Sequence, residues 1–171
     1  MGHSTRRLRI DDHAALRALR LRALAGEPSA FGSTLDREEA FTEEIWKDRL
    51  RPDAHPSFGG FDEAGALVGL AVGIPDGADA SVGHLVGMWV DPMARGRGLA
   101  AELVGLVLDW AAGRGCRVVR LHVTDGNTRA GALYARLGFV RTGYATVRER
   151  DGLAEIEMER TVRPSDEPPV R

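Results

Sequence analysis

Apolar and polar positions along the chain follow two periods, and the switches between them mark out the elements. Leu16, Leu19, Leu21 and Leu24 fall broadly on one face of a helix that Asp11 or Asp12 caps and that Gly26 and Pro28 end. Arg7 to Ile10, just ahead of the cap, reads as a first short strand. A second helical stretch runs from about Asp36 to Leu50, with Phe41, Ile45 and Trp46 as its apolar stripe, until Pro52 and Pro56 close it. Phe58 to Asp62 and Leu67 to Ile74 read as an antiparallel hairpin turning at Glu63-Ala64-Gly65. Val82 to Val90 is a mostly apolar strand, followed by Asp91-Pro92, a glycine-rich turn and a helix from about Leu99 to Ala112. Another strand spans Arg117 to Thr124, after which Asn127 and Gly138 bracket a short helix, Thr128 to Leu137, with start and stop signals. Two last strands, Phe139 to Val147 and Ala154 to Val162, turn at Asp151-Gly152. This order predicts an α/β or α+β domain on one central mixed sheet.

Composition narrows the class without naming a function. The 171 residues, 43% of them hydrophobic, suit one domain, taken here as residues 1–163. The polar, proline-rich run Pro164-Ser165-Asp166-Glu167-Pro168-Pro169 predicts a disordered tail over 164–171. With 23 basic and 25 acidic residues there is no large charge excess to point to nucleic acid or an anionic membrane, so any polyanion site must be local. The one cysteine, Cys116, excludes an internal disulfide and reads as a packing residue; no Cys/His pair stands at zinc spacing, so a metal-free fold in a reducing compartment is expected. No stretch is apolar enough to cross a bilayer, and Met1 to Ile10 carries arginines without an apolar run, which makes the cytoplasm the expected location.

Arg95-Gly96-Arg97-Gly98-Leu99-Ala100 stands between a strand and a helix, where backbone N–H groups converge with no side chains in the way. Such a turn is an anion cradle, with Arg95 and Arg97 adding two charges at its rim, although a plain surface turn would have the same letters. Gly96-x-Gly98-x-x-Ala101 matches a dinucleotide fingerprint only as letters: four residues separate the strand from the glycines, and no acidic residue stands about twenty positions on. A triphosphate loop would need Lys-Ser or Lys-Thr where Leu99 and Ala100 stand.

Arg95-x-x-Gly98-x-Ala100, after a strand ending Met88-Trp89-Val90-Asp91-Pro92, resembles the pyrophosphate-binding motif Arg/Gln-x-x-Gly-x-Gly/Ala of the GNAT family of N-acetyltransferases. A second block, Leu121-His122-Val123-Thr124, Asn127, Ala130, Leu133-Tyr134 and Leu137-Gly138-Phe139, resembles the family's passage from its fifth strand through a short helix. The resemblance implies a mixed, mostly antiparallel sheet of about seven strands flanked by about four helices and splayed between the fourth and fifth strands. It implies acetyl-coenzyme A as acyl donor, with the pantetheine arm against backbone at Met88, Trp89 and Val90 and the pyrophosphate over Arg95, Gly96, Arg97, Gly98, Leu99 and Ala100.

By the same resemblance Tyr134 stands where the family protonates the departing sulfur, and Asn127 contacts the cofactor or only caps its helix. His84 takes the place of the glutamate that serves as base in the histone-acetylating branch, and a histidine can also accept a proton near neutrality. Either this titration or a plain structural role accounts for it. Glu38, Glu39, Glu43 and Glu44 lie in the stretch that borders the acceptor site in the family, so one of them is a candidate anchor for a cationic substrate. The expected function is acetylation of a small-molecule amine by direct attack in a ternary complex, with a possible homodimer inferred from the family alone. Acetylation of protein N-termini and non-catalytic acyl-coenzyme A binding remain as alternatives.

Overall fold

The computed structural model describes residues 2–163, and the tail expected over 164–171 lies outside them. Seven strands, β1 His3–Arg7, β2 Ser57–Asp62, β3 Leu67–Pro75, β4 Val82–Val90, β5 Val118–Thr124, β6 Val140–Val147 and β7 Ala154–Thr161, form one sheet in the order β1-β2-β3-β4-β5-β7-β6. Among the described residues five α-helices flank it, where about four were expected: α1 His13–Gly26, α2 Leu35–Glu39, α3 Glu43–Asp48, α4 Leu99–Gly113 and α5 Thr128–Arg136. Leu85, Leu103, Val107, Leu121, Phe139 and Met158 build a core between the sheet and α4 and α5. Leu16, Leu19, Leu24, Trp46, Leu70 and Trp89 build a second on the opposite face, under α1 and α3.

Two expectations need correcting. The first strand is His3–Arg7, five residues that pair with β2 from His3↔Asp62 to Arg7↔Phe58, whereas Ile10–Asp12 is a 3-10 turn. β1 is an edge strand with no fully buried residue, so its pattern carries no apolar alternation to read. The single helix expected over 36–50 is two, because Thr42 starts a new one: its hydroxyl accepts the Ile45 N–H at 3.4 Å. The break turns Trp46 and Leu50 into the core and leaves Ile45, expected in the stripe, 40% exposed.

All neighbouring strands run antiparallel except β4 and β5, which pair in parallel only over Val82–His84 and Val118–Arg120. Past His84 the two strands part, and the β5-facing edge of β4 is left without a strand partner. β4 also bulges. Val72 pairs with Val86 and Leu70 with Trp89, so β4 has one residue more than β3 over this span, and Gly87 absorbs it at φ 62°. The bulge resets the alternation, so that Met88 and Val90 join the α4 core while Trp89 joins the opposite one.

Glycines set how closely α4 lies on the sheet. A Cβ on Gly60 would stand 2.4 Å from Leu99 Cδ1, and one on Gly69 would stand 2.9 Å from Leu103 Cδ1. The start of α4 therefore rests directly on the backbone of β2 and β3, which fixes where its first N–H groups point.

Candidate functional site

The end of β4, the start of α4 and one face of α5 line a cleft of about 410 Å³. Of the residues singled out in the sequence, Met88, Trp89, Val90, Arg95, Gly96, Gly98, Leu99, Ala100, Asn127 and Tyr134 all line it. Arg97 and His84 do not.

Its polar end is backbone. Gly96 and Gly98 hold φ 77° and 85°, a conformation that costs an L-residue with a side chain about 1–2 kcal/mol. Gly98 is the residue at which α4 begins, and no side chain caps this helix, whereas Thr34, Thr42 and Asn127 cap α2, α3 and α5. The first N–H groups of α4 thus keep their hydrogen-bonding capacity and the positive end of the helix dipole for something in the cleft.

The arginines at this turn differ from the expectation of two charges at the rim. Arg95 Nε donates to Val90 O at 2.8 Å and Nη2 to Glu27 Oε2 at 2.6 Å, so its charge is already matched. The same Glu27 carboxylate accepts from Trp89 Nε1 at 2.6 Å and from Arg129 Nη2 at 2.5 Å. Burial alone would raise the Glu27 carboxyl, but the hydrogen bonds from Arg129, Arg95 and Trp89 outweigh it and hold it below the usual carboxylate range. Glu27 and Arg129 line the cleft and were not anticipated. Glu27 follows the end of α1 with no local motif, and its partners lie far along the chain, so nothing in the spacing points to it.

The apolar end holds Tyr134, 7% exposed and packed edge-to-face on Phe139 at 5.8 Å. Burial pushes its hydroxyl well above the ordinary tyrosine value, so it stays protonated at neutral pH. Asn127 caps α5, its Oδ1 accepting the Ala130 N–H at 3.2 Å, and it lines the cleft. His84 Nε2 is hydrogen-bonded to Asp76 Oδ2 at 2.8 Å, beside the β3–β4 turn. It lines neither this cleft nor the neighbouring one.

That neighbour, about 750 Å³, lies between the sheet and α1, α2 and α3, and Gly87 lines it while the adjacent Met88 lines the first cleft. Of the four candidate glutamates only Glu38 faces it, 1% exposed and bonded to Arg20 at 2.5 and 3.1 Å. Glu43 and Glu44 pair with Lys47 at 2.5 and 3.5 Å, and Glu39 is exposed. The loop after α1 is tied to the end of β5 and to the chain after β6: Arg148 donates to Ser29 O and Phe31 O, both at 2.9 Å, and Thr124 Oγ1 donates to Ser29 O at 2.9 Å. Among the described residues no group of three or more His, Cys, Asp or Glu could hold a metal ion, and no helix is long and apolar enough to cross a membrane.

Residues 20–139 match the acetyltransferase (GNAT) family. The chain belongs to that family. Similar GNAT relatives include the mycothiol acetyltransferase of Thermobispora bispora, 34% identical over 134 residues, which cover 76% of this chain and 43% of that protein. The chain thus spans less than half the length of the first curated relatives it matches. The aminoglycoside N(6')-acetyltransferase type 1 of Salmonella typhimurium is 29% identical over 126 residues, covering 63% of this chain and 86% of that one. The solved structure of yncA from Salmonella typhimurium with its cofactor acetyl-CoA superimposes with a TM-score of 0.75 at 19% identity, over 100% of both chains. At that identity the likeness is one of fold, and it agrees with the seven-stranded sheet parted between β4 and β5.

Proposed function

We propose that this GNAT domain transfers the acetyl group of acetyl-coenzyme A to a primary amine of a small molecule, by direct attack in a ternary complex. The observation that carries the reading is the cleft itself, with an uncapped helix N-terminus and two positive-φ glycines at one end and a buried, protonated tyrosine on its wall. The amides at Gly96 to Ala100 hold the pyrophosphate of the donor, and the edge of β4 at Met88 to Val90, which has no strand partner, holds its amide-bearing arm. Acetyl-coenzyme A supplies the activated acyl carbon. The amine approaches from the second cavity, across the step from Gly87, which lines it, to Met88, which lines the first cleft.

The nitrogen lone pair forms the new bond to the acyl carbon, the carbon–sulfur bond breaks, and the Tyr134 hydroxyl gives its proton to the departing thiolate. Solvent at the cavity mouth takes the ammonium proton and returns one to Tyr134. His84, occupied by Asp76 and outside both cavities, has no part in this reading. The small-molecule acceptor is supported by the names of the mycothiol and aminoglycoside relatives.

A panel of amines, read by free-thiol release and by the mass of the acetylated product, tests the reaction. With an accepted amine, Tyr134→Phe should lower kcat by about a hundredfold to ten-thousandfold and leave the KM for acetyl-coenzyme A nearly unchanged. Turnover within about twofold of wild type would make the tyrosine a packing residue, with water as the acid. No thiol release with any amine would contradict the reading as a whole.

A further inference from the structure

The second cavity has an apolar floor, Val72, Ile74 and Val86, and a charged wall with three guanidinium groups, Arg20, Arg37 and Arg49, and one buried carboxylate, Glu38, beside Arg20 and Arg49. The wall is short of negative charge. Arg20 uses only Nε and Nη2 on Glu38, at 3.1 and 2.5 Å, while its Nη1 lies 3.9 Å from where a Cβ on Gly87 would stand. Arg49 stands 3.6 Å from the same carboxylate, beyond hydrogen-bonding distance, with its guanidinium over Phe41 and Trp46 at 4.9 and 4.8 Å. Arg37 makes no ion pair with any described residue and stands 5.9 Å from the Phe41 ring. Of the other carboxylates at this cavity, Asp48 is bonded to Arg51 at 2.7 Å, and Asp53 also lines it, so three arginines face two carboxylates not taken by Arg51.

We propose that this cavity takes acceptors that carry a carboxylate close to the reacting amine on an apolar body, as an apolar α-amino acid does; the proposal rests on the acetyl-transfer reading above. The amine would face the Gly87 bulge, the carboxylate the spare donors of Arg20, Arg37 and Arg49, and the body the floor of Val72, Ile74 and Val86. An acceptor carboxylate adds negative charge to a wall where three arginines outnumber Glu38 and Asp53, the two carboxylates not already bonded to Arg51. Positive charge beside the amine also favours its neutral, nucleophilic form. A polycationic amine would add charge of the wrong sign to the same wall.

Binding of products separates recognition from chemistry and from differences in amine ionisation. In calorimetric titrations, with and without coenzyme A, N-acetyl-leucine should bind about tenfold or more tightly than N-acetyl-leucinamide, the strength expected of charge-assisted hydrogen bonds. Arg37→Gln, at an exposed position without a carboxylate partner, should narrow that ratio and leave coenzyme A affinity and the melting temperature unchanged. Leucine should release thiol faster than spermidine or an aminoglycoside. Equal affinity for acid and amide would overturn the proposal, as would faster turnover of the polycations, which would still leave acetyl transfer standing. If no amine releases thiol, the acetyl-transfer reading fails, and the acid-to-amide ratio still decides what the cavity binds.

Discussion

At the scale of single residues the difference between His84 and Tyr134 is one of surroundings. Tyr134 is buried with no charged neighbour to stabilise a phenolate, which keeps its proton in place for donation. His84 instead serves a turn. The Asp76 carboxyl is held down to about 2, first by the hydrogen bond from His84 and then by the N–H groups of Ala78 and Asp79. That folded value lies below the ordinary aspartate value of about 3.9, so the contribution to stability is complete above the ordinary value and is lost as pH falls through the folded one. The pair is open to solvent and its contribution is small. His84→Gln should therefore lower the urea midpoint slightly at neutral pH, and the gap to wild type should close as pH falls from about 4 toward 2. The same variant should keep the acidic limb of the turnover profile. A gap independent of pH, or a displaced limb, would return His84 to the list of candidate bases.

At the scale of elements, α4 links the fold to the cleft. Leu99 is 1% exposed, and Gly60 leaves it room that a Cβ would remove, since the new atom would stand 2.4 Å from Cδ1. Leu99 is packed on its other sides as well, so an added Cβ would displace its side chain or the first turn of the helix. Gly60→Ala should cost about 1–3 kcal/mol, as overpacked sites do, and should weaken coenzyme A binding although residue 60 lines neither cleft. Urea unfolding and calorimetry on the same preparation would check both; normal stability with normal binding would show that the position of α4 does not depend on this contact.

Much at this scale was legible in the sequence, because β4, α4, β5 and α5 carry strong periodicity, a start cap at Asn127 and a glycine stop at Gly138. β1 was misplaced because an edge strand lacks a buried face, and the stretch over 36–50 was read as unbroken because helical spacing does not reveal a Thr42 cap in mid-run. The β4 bulge was equally hidden, since Gly87 announces a permissive backbone but not the register of the partner strand.

At the scale of the whole molecule, two clefts are lined by adjacent residues of β4, Gly87 and Met88, and residues distant in sequence build their walls. Glu27 joins the end of α1 to Arg95 and to Arg129 of α5, while Arg148 and Arg150 hold the carbonyl of Phe31 in the loop after α1. Such long-range partners have no local signature, which is why the glycine turn and Tyr134 could be named from the sequence and Glu27 and Arg129 could not. The central claim is that coenzyme A lies with its pyrophosphate on the amides from Gly96 to Ala100. A Cβ on Gly98 would meet no protein atom within 4 Å, so a side chain there projects into open space beside the cleft, with the positive φ as its main cost to the fold. The most direct measurement is a calorimetric titration of coenzyme A into wild type and into Gly98→Val, with thermal unfolding to establish that the variant is folded. The account predicts saturable one-to-one binding by wild type and an affinity at least about tenfold weaker in the variant, as loss of charge-assisted hydrogen bonds to backbone amides requires. Equal affinity in a folded Gly98→Val protein would contradict it.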